Sequence, residues 1–270
     1  MIMRNRTIFS ISVIILIFLA SCIHDKEAGK SIPEQNTVLG IFGGMGPEAT
    51  ADLYRQVVEL TPAESDQEHI PTLIYSLPQV PDRMASIRNN DGSIIPFLVE
   101  GVTRLEQAGA SFIAIPCNTV HYFYDEMDRA VSIPVIHMIN ETVREVRENY
   151  PDIINVGLLA TSGTIESGLY EEELVRNGYN VIIPDEIIES EKVMKAVYGI
   201  KAGTDRQVNE DLLFEAGNHV IEKGADLIIL GCTEIPLAFN SSRVDVPVVN
   251  ATEVLATRAI ELFYKLNKER

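Results

Sequence analysis

Cysteine is scarce in this chain: there are three in 270 residues, at positions 22, 117 and 232. A dense disulfide framework is therefore excluded, and at most one bridge can form. Basic charge is also in deficit, with 22 Lys and Arg against 39 Asp and Glu and a net charge of −17. Such a surface repels nucleic acid and anionic headgroups and disfavours phosphate-binding functions, while leaving room for a local basic pocket that takes a small anion. A membrane-spanning run is missing too. The amino-terminal apolar stretch Ile8–Ala20 has 13 residues, short of the roughly 20 that a spanning helix needs. No nucleotide cradle is present: Gly43, Gly44 and Gly46 lack the G-x-G-x-x-G spacing, and no Gly-Lys-Ser/Thr follows. Pro47 and Glu48 instead predict a helix start, with amide donors free to face a carboxylate.

What is there begins with an export pattern. Arg4 and Arg6 precede the apolar stretch, which ends in Leu19-Ala20-Ser21-Cys22, the order expected of a secretory signal. The quartet resembles the lipobox of bacterial lipoproteins, which implies cleavage before Cys22 and lipid attachment to it. The protein would then be held at a bacterial membrane, outside the cytoplasm, by acyl chains. Removing residues 1–21 leaves 249 residues and takes the net charge from −17 to −19, since only Arg4 and Arg6 are lost. Residues 22–36 are polar and without periodicity, and read as a tether.

From Thr37 onward, short β-branched runs such as "TVLGIF", "SFIAIPC", "INVGLLA" and "DLIILGC" alternate with stretches of helical period, among them 48–60, 94–108, 141–149 and 254–266. Continuous apolar strands separated by helices predict an α/β fold with parallel sheets buried on both faces. The chain also repeats itself. "VLGIFGGMGP" aligns with "NVGLLATSGT" at an offset of 117, "GASFIAIPCNT" with "GADLIILGCTE" at 115, and Pro134 with Pro247 at 113. Three anchors in one order predict two pseudo-symmetric, Rossmann-like lobes, 37–134 with 248–270 and 135–247, with a cleft between them.

Ligands of open parallel sheets bind beyond the carboxyl ends of the strands. Cys117 and Cys232 both fall at such ends, as do the loops 43–46 and 161–164. Two thiols facing one cleft from opposite sides suit the removal and return of a proton at a stereocentre. One thiolate would take the α-proton and the other thiol would protonate the planar carbanion from the far face. Hydroxyls of Thr119, Thr161, Thr164 and Thr233 could hydrogen-bond the carboxylate as it becomes enolate-like.

At these residues a resemblance appears. "GGMGPEAT", "PQVPDR", "CNTVH", "LLATSGT" and "GCTEIPLAF" resemble the aspartate/glutamate racemase family, on the side of the aspartate racemases. The resemblance implies Cys117 and Cys232 as alternating proton donor and acceptor, no pyridoxal phosphate, no metal, an amino-acid substrate and a homodimer. It also implies that Arg83 and Lys201 bind substrate carboxylate, and that Met45, Gln79, Asn118, Thr119, Thr233 and Glu234 line the pocket. The export pattern departs from the family, whose members are typically cytoplasmic.

Blander readings stand beside these. Either cysteine could be an inert core residue, or the two could form a disulfide. Arg83 could pair with Asp82, Lys201 could be a solvated loop residue, and His121 could polarise Cys117 or be satisfied in the core. A non-catalytic, two-lobed binding lipoprotein, or another isomerase or decarboxylase of the superfamily, would share most of these features.

Overall fold

The computed structural model describes residues 37–269, so the expected signal, the tether and Cys22 lie outside it. Two parallel sheets form where the apolar runs fall. In the first, β1 (Leu39–Gly43) lies between β2 (Thr72–Ser76) and β3 (Phe112–Ala114), and Val135 adds a parallel bridge to Ile113. In the second, β4 (Asn155–Leu159) lies between β5 (Asn180–Ile182) and β6 (Leu227–Leu230), with β7 (Val248–Asn250) beyond β6. Counting the Val135 bridge, the two strand orders are the same, as the internal repeat predicts. Every residue of β1, β3 and β6 is buried, whereas the edge strands β2 and β5 are partly exposed. Only one neighbour and one layer of helices cover an edge strand, so continuous apolar sequence does not guarantee burial there.

The first sheet is flanked by α1 (Pro47–Leu60), α2 (Arg83–Asn89), α3 (Ile95–Gln107) and α4 (Tyr124–Ala130). The helix α5 (Met138–Asn149) leads into the second half, which carries α6 (Ser162–Glu166) and α7 (Leu169–Arg176). A broken helix follows: α8 (Glu186–Ile188), a π-helical turn over Glu189–Met194, and α9 (Lys195–Lys201). The chain closes with α10 (Arg206–Glu222) and α11 (Ala251–Lys268). Pro47 stands at the start of α1, where its missing N–H costs nothing.

The two halves exchange helices. After the Val135 bridge, α5 leaves the first sheet and buries Ile139, Val143 and Val146 against Val156 and Leu158 of the second. After β7, α11 makes the opposite move, burying Leu255, Ala259 and Phe263 against Leu39, Ile41 and Leu53. The two helices meet where Arg258, with a side chain 10% exposed, pairs with Glu145 at 2.8 Å. The expected division at 134 and 247 differs from this arrangement. Val135 pairs with the first sheet and β7 with the second, and only the helices after them change sides. An apolar helical stripe specifies that a face must be covered, and it carries no record of which sheet covers it.

Candidate active site

Cys117 follows β3 and is 5% exposed; Cys232 follows β6 and is 6% exposed. Both are free thiols, so the disulfide reading fails. They occupy equivalent places in the two halves, each packed into the core of its own sheet.

The environments of the two differ. The Cys232 thiol donates to Glu234 Oε2 at 3.2 Å. Burial, and next the Glu234 carboxylate, push that thiol well above its ordinary range. Glu234 is itself 3% exposed and pairs with Lys201, its Oε1 standing 3.6 Å from Nζ. Beside Cys117 the titratable neighbour is His121. Its Nε2 accepts from the Met138 N–H at 3.1 Å, which leaves Nδ1 to donate to the Cys117 carbonyl at 2.8 Å. Desolvation, then the neighbouring His137, lower the pKa of His121 to about 4. His121 is thus neutral and satisfied by main chain, and it fixes the Cys117 loop without reaching the sulfur as a base.

The threonines interlock across the lobes. Thr119, next to the first cysteine motif, lies 2.8 Å from Thr164 and 3.3 Å from Thr161, hydroxyl to hydroxyl, and Thr161 lies 3.1 Å from Thr164. Thr161 also caps α6 by accepting from the Thr164 N–H. A cavity of about 50 Å³ opens beside this cluster, lined by Thr119, Thr161, Arg83 and Lys201. Asp82, Met84, Met194, Val197 and Tyr198 complete its wall. Among the described residues Arg83 forms no ion pair; its guanidinium donates to the Pro81 and Met45 carbonyls at 3.4 and 3.5 Å, while Asp82 caps α2 through the Ala85 N–H.

Other expected residues hold different places. Thr164 is 1% exposed and supports Thr119 from behind, and it does not line the cavity. Thr233 donates to Glu234 Oε2 at 3.3 Å. Gln79 sits exposed in the turn after β2 and is absent from the cavity wall. In the loop 43–46 the Gly44 N–H is spent on Thr50 Oγ1 at 2.8 Å, so that amide does not await a ligand. Gly44 itself has φ +96° and passes so close to Leu77 that a Cβ would meet its backbone at 2.4 Å. The first-lobe loop nevertheless reaches the second-lobe site: a Cβ on Gly46 would stand 3.2 Å from Glu234 Oε1.

One side chain missed in the sequence joins the two cysteine motifs. Tyr170, on α7 and fully buried, donates its hydroxyl to Asn118 Oδ1 at 2.7 Å, beside Cys117. Its ring lies against Gly231, beside Cys232, where a Cβ would stand 3.1 Å from Cε2. The two motifs are therefore within one tyrosine of each other. A match to the family's sequence pattern over most of the chain decides the assignment. The chain belongs to the Asp/Glu/Hydantoin racemase family.

Residues 42–259 match that family. Among characterised relatives, the broad specificity amino-acid racemase RacX of Bacillus subtilis is 28% identical over 230 residues, which cover 84% of this chain and 98% of RacX. Among solved structures, the aspartate racemase of Picrophilus torridus superposes with a TM-score of 0.75 at 29% identity, covering 86% of this chain and 99% of that one. The glutamate racemase of Francisella tularensis, solved with D-glutamate, shares the fold at a TM-score of 0.61 and 20% identity, over 86% of this chain and 82% of its own. Membership places this family member among the isomerases, its relatives being named amino-acid racemases.

The remaining wall of the cavity had a readable signal. Met194, Val197, Tyr198 and Lys201 follow helical spacing, so the face that ends in Lys201 could have been traced backwards from it. Asp82 and Met84 flank Arg83 and had no separate signature. A larger cavity, of about 610 Å³, surrounds Tyr122, Tyr124 and His137 and contains none of the expected site residues. Among the described residues, no group of three or more His, Cys, Asp or Glu is placed to hold a metal ion, and no helix is long and apolar enough to cross a membrane.

Proposed function

We propose that this racemase inverts a small acidic amino acid, aspartate in the first place, by moving a proton between the two faces of Cα with Cys117 and Cys232. The observation that carries the reading is that each half holds a free, buried thiol at an equivalent strand end, with Tyr170 lying against both cysteine motifs. The small cavity nearby, whose wall includes neither cysteine, holds Thr119, Arg83 and Lys201. In that scheme one sulfur, as thiolate, takes the α-proton and the other thiol gives its own to the opposite face. Thr119 and Thr161 on the cavity wall, with Asn118 beside Cys117, hold the α-carboxylate as negative charge moves onto it. Arg83 grips the second carboxylate with a planar fork. The small volume of the cavity, about 50 Å³, favours a short side chain.

The export pattern supports a second part of the reading: the enzyme is lipid-anchored through Cys22 outside the cytoplasm. The family resemblance adds a homodimer. Metabolic labelling with a fatty acid and its loss in Cys22→Ala tests the anchor, and light scattering tests the dimer.

A chiral screen of amino acids in deuterium oxide, under reducing conditions, tests the chemistry. The expected result is deuterium at Cα with loss of optical activity, fastest for aspartate. Tight amino-acid binding with neither change would favour the non-catalytic receptor.

A further inference from the structure

Glu234 fits poorly as a ligand for a substrate carboxylate. It is an anionic, almost fully buried side chain, and a dicarboxylate brought beside it would be repelled. Its recorded contacts point elsewhere: Oε2 accepts from the Cys232 thiol at 3.2 Å and from Thr233 at 3.3 Å, and Oε1 faces the Lys201 ammonium at 3.6 Å. Among the described residues Cys117 has no matching arrangement, and both ring nitrogens of His121 are committed to main chain. The two thiols are therefore served unequally. Lys201 also differs from its partner in freedom, since its side chain is 35% exposed against 4% for Glu234, and it lines the substrate cavity.

We propose that Glu234 is a positioning residue that receives and holds the proton of Cys232, and that Lys201 is its counter-ion until a substrate carboxylate draws the ammonium away. This deepens the racemase reading and rests on it. At rest the Cys232 S–H points at the Glu234 carboxylate and Lys201 neutralises that carboxylate. When a dicarboxylate binds, the ammonium turns to it, and the carboxylate left behind holds a proton more strongly. The S–H bond of Cys232 breaks, an O–H bond forms on Oε2, and the electron pair stays on sulfur. The thiolate takes the Cα proton, the Cα–H pair passes to the carbanion, and Cys117 protonates the opposite face. Glu234 then loses its proton to solvent and the Cys117 thiolate gains one, which restores the starting state. The raised affinity of Cys232 for its proton, caused by burial and then by Glu234, agrees with a thiol kept closed between turnovers. A thiolate made only when a second carboxylate arrives would place part of the preference for acidic substrates in kcat.

The test uses the mature protein and thiolate absorbance in the ultraviolet. With Cys117→Ser as background, so that only Cys232 reports, succinate is expected to raise thiolate absorbance and butyrate to leave it unchanged; no response to succinate overturns the proposal. In the two-thiol enzyme, Glu234→Gln is expected to lower aspartate racemisation about a hundredfold, the size of a lost proton-transfer partner, and Glu234→Asp to recover part of it. Adding Glu234→Gln to the Cys117→Ser background is expected to move the Cys232 titration to lower pH, because the opposing carboxylate is gone. Damaged packing would hydrate the thiol and also make it more acidic, so the deciding pair is recovery of activity in Glu234→Asp and loss of the succinate response when Glu234→Gln is added to the Cys117→Ser background. Wild-type activity in Glu234→Gln, or an unmoved titration, overturns the proposal and leaves the racemase reading intact. Absence of Cα exchange in the wild type with every amino acid overturns both.

Discussion

The Tyr170 hydroxyl donates to Asn118 Oδ1 at 2.7 Å in a fully buried setting, so a helix of the second half orients an amide beside the cysteine of the first. The bond sets the direction of Asn118 Nδ2, which has no partner among the described residues. Removing the hydroxyl frees the amide and strands a buried acceptor. Tyr170→Phe is expected to cost about 1–2 kcal/mol of stability and to lower kcat/KM by roughly tenfold, as expected when one oriented donor at the carboxylate is lost. Denaturant unfolding and racemisation assays, run side by side, check both.

Each thiol should answer for one face. Cys117→Ala and Cys232→Ala are each expected to abolish racemisation, a loss of about a thousandfold or more. In the Ser variants, solvent deuterium should enter Cα from one enantiomer only, and from opposite enantiomers in the two. Nuclear magnetic resonance of each pure enantiomer in deuterium oxide reads this directly. Equal exchange of both enantiomers in one single mutant would contradict the two-sided scheme.

Arg83 should be intolerant of a change that keeps its charge. Its fork lies half-buried between the Pro81 and Met45 carbonyls, and a lysine cannot reproduce a planar pair of donors. Arg83→Lys is expected to raise KM for aspartate by about tenfold, one good charged hydrogen bond, with a smaller effect on monocarboxylic amino acids. Steady-state kinetics on both substrate types separates a lost clasp from a general loss of fold.

His121 makes acid stability depend on one buried ring. Its pKa falls from an ordinary 6.5 to about 4 on folding, so the unfolded chain binds the proton more readily. The stabilisation is complete above pH 6.5 and is lost as the pH falls through that range to about 4. The loss approaches about 3 kcal/mol for this group alone. Urea unfolding across the interval should show the slope in the wild type and a flatter one in His121→Asn, whose absolute stability will be lower.

The clasp between Arg88 of α2 and Glu166 of α6 is bidentate, at 2.6 and 2.7 Å, and it joins the two halves. Both partners are exposed, so salt screens them. Arg88→Ala is expected to raise KM about threefold with little change in kcat, the signature of easier opening. The difference from wild type should shrink in high salt. A fall in kcat alone would contradict this role for the clasp.

Much of this enzyme was legible before any coordinates. The apolar runs became strands, and the three repeat anchors became equivalent strands and loops of two like sheets. Cys117 and Cys232 could be paired by that repeat because a strand end and its following loop are local features. Glu234 was legible as a motif residue, but spacing does not reveal that its carboxylate accepts from its own cysteine and faces Lys201. Tyr170 was invisible: an aromatic on a short helix has the same pattern whether it fills a core or braces a site.

The sequence by itself determined the α/β class, the doubled architecture and the pair of thiols at strand ends, since these follow from periodicity and self-similarity along the chain. Only the tertiary structure decided which sheet each crossover helix covers, that Lys201 faces Glu234, and that one tyrosine joins the two cysteine motifs. Those contacts bring together residues tens of positions apart, and their geometry depends on packing in three dimensions that no local pattern encodes.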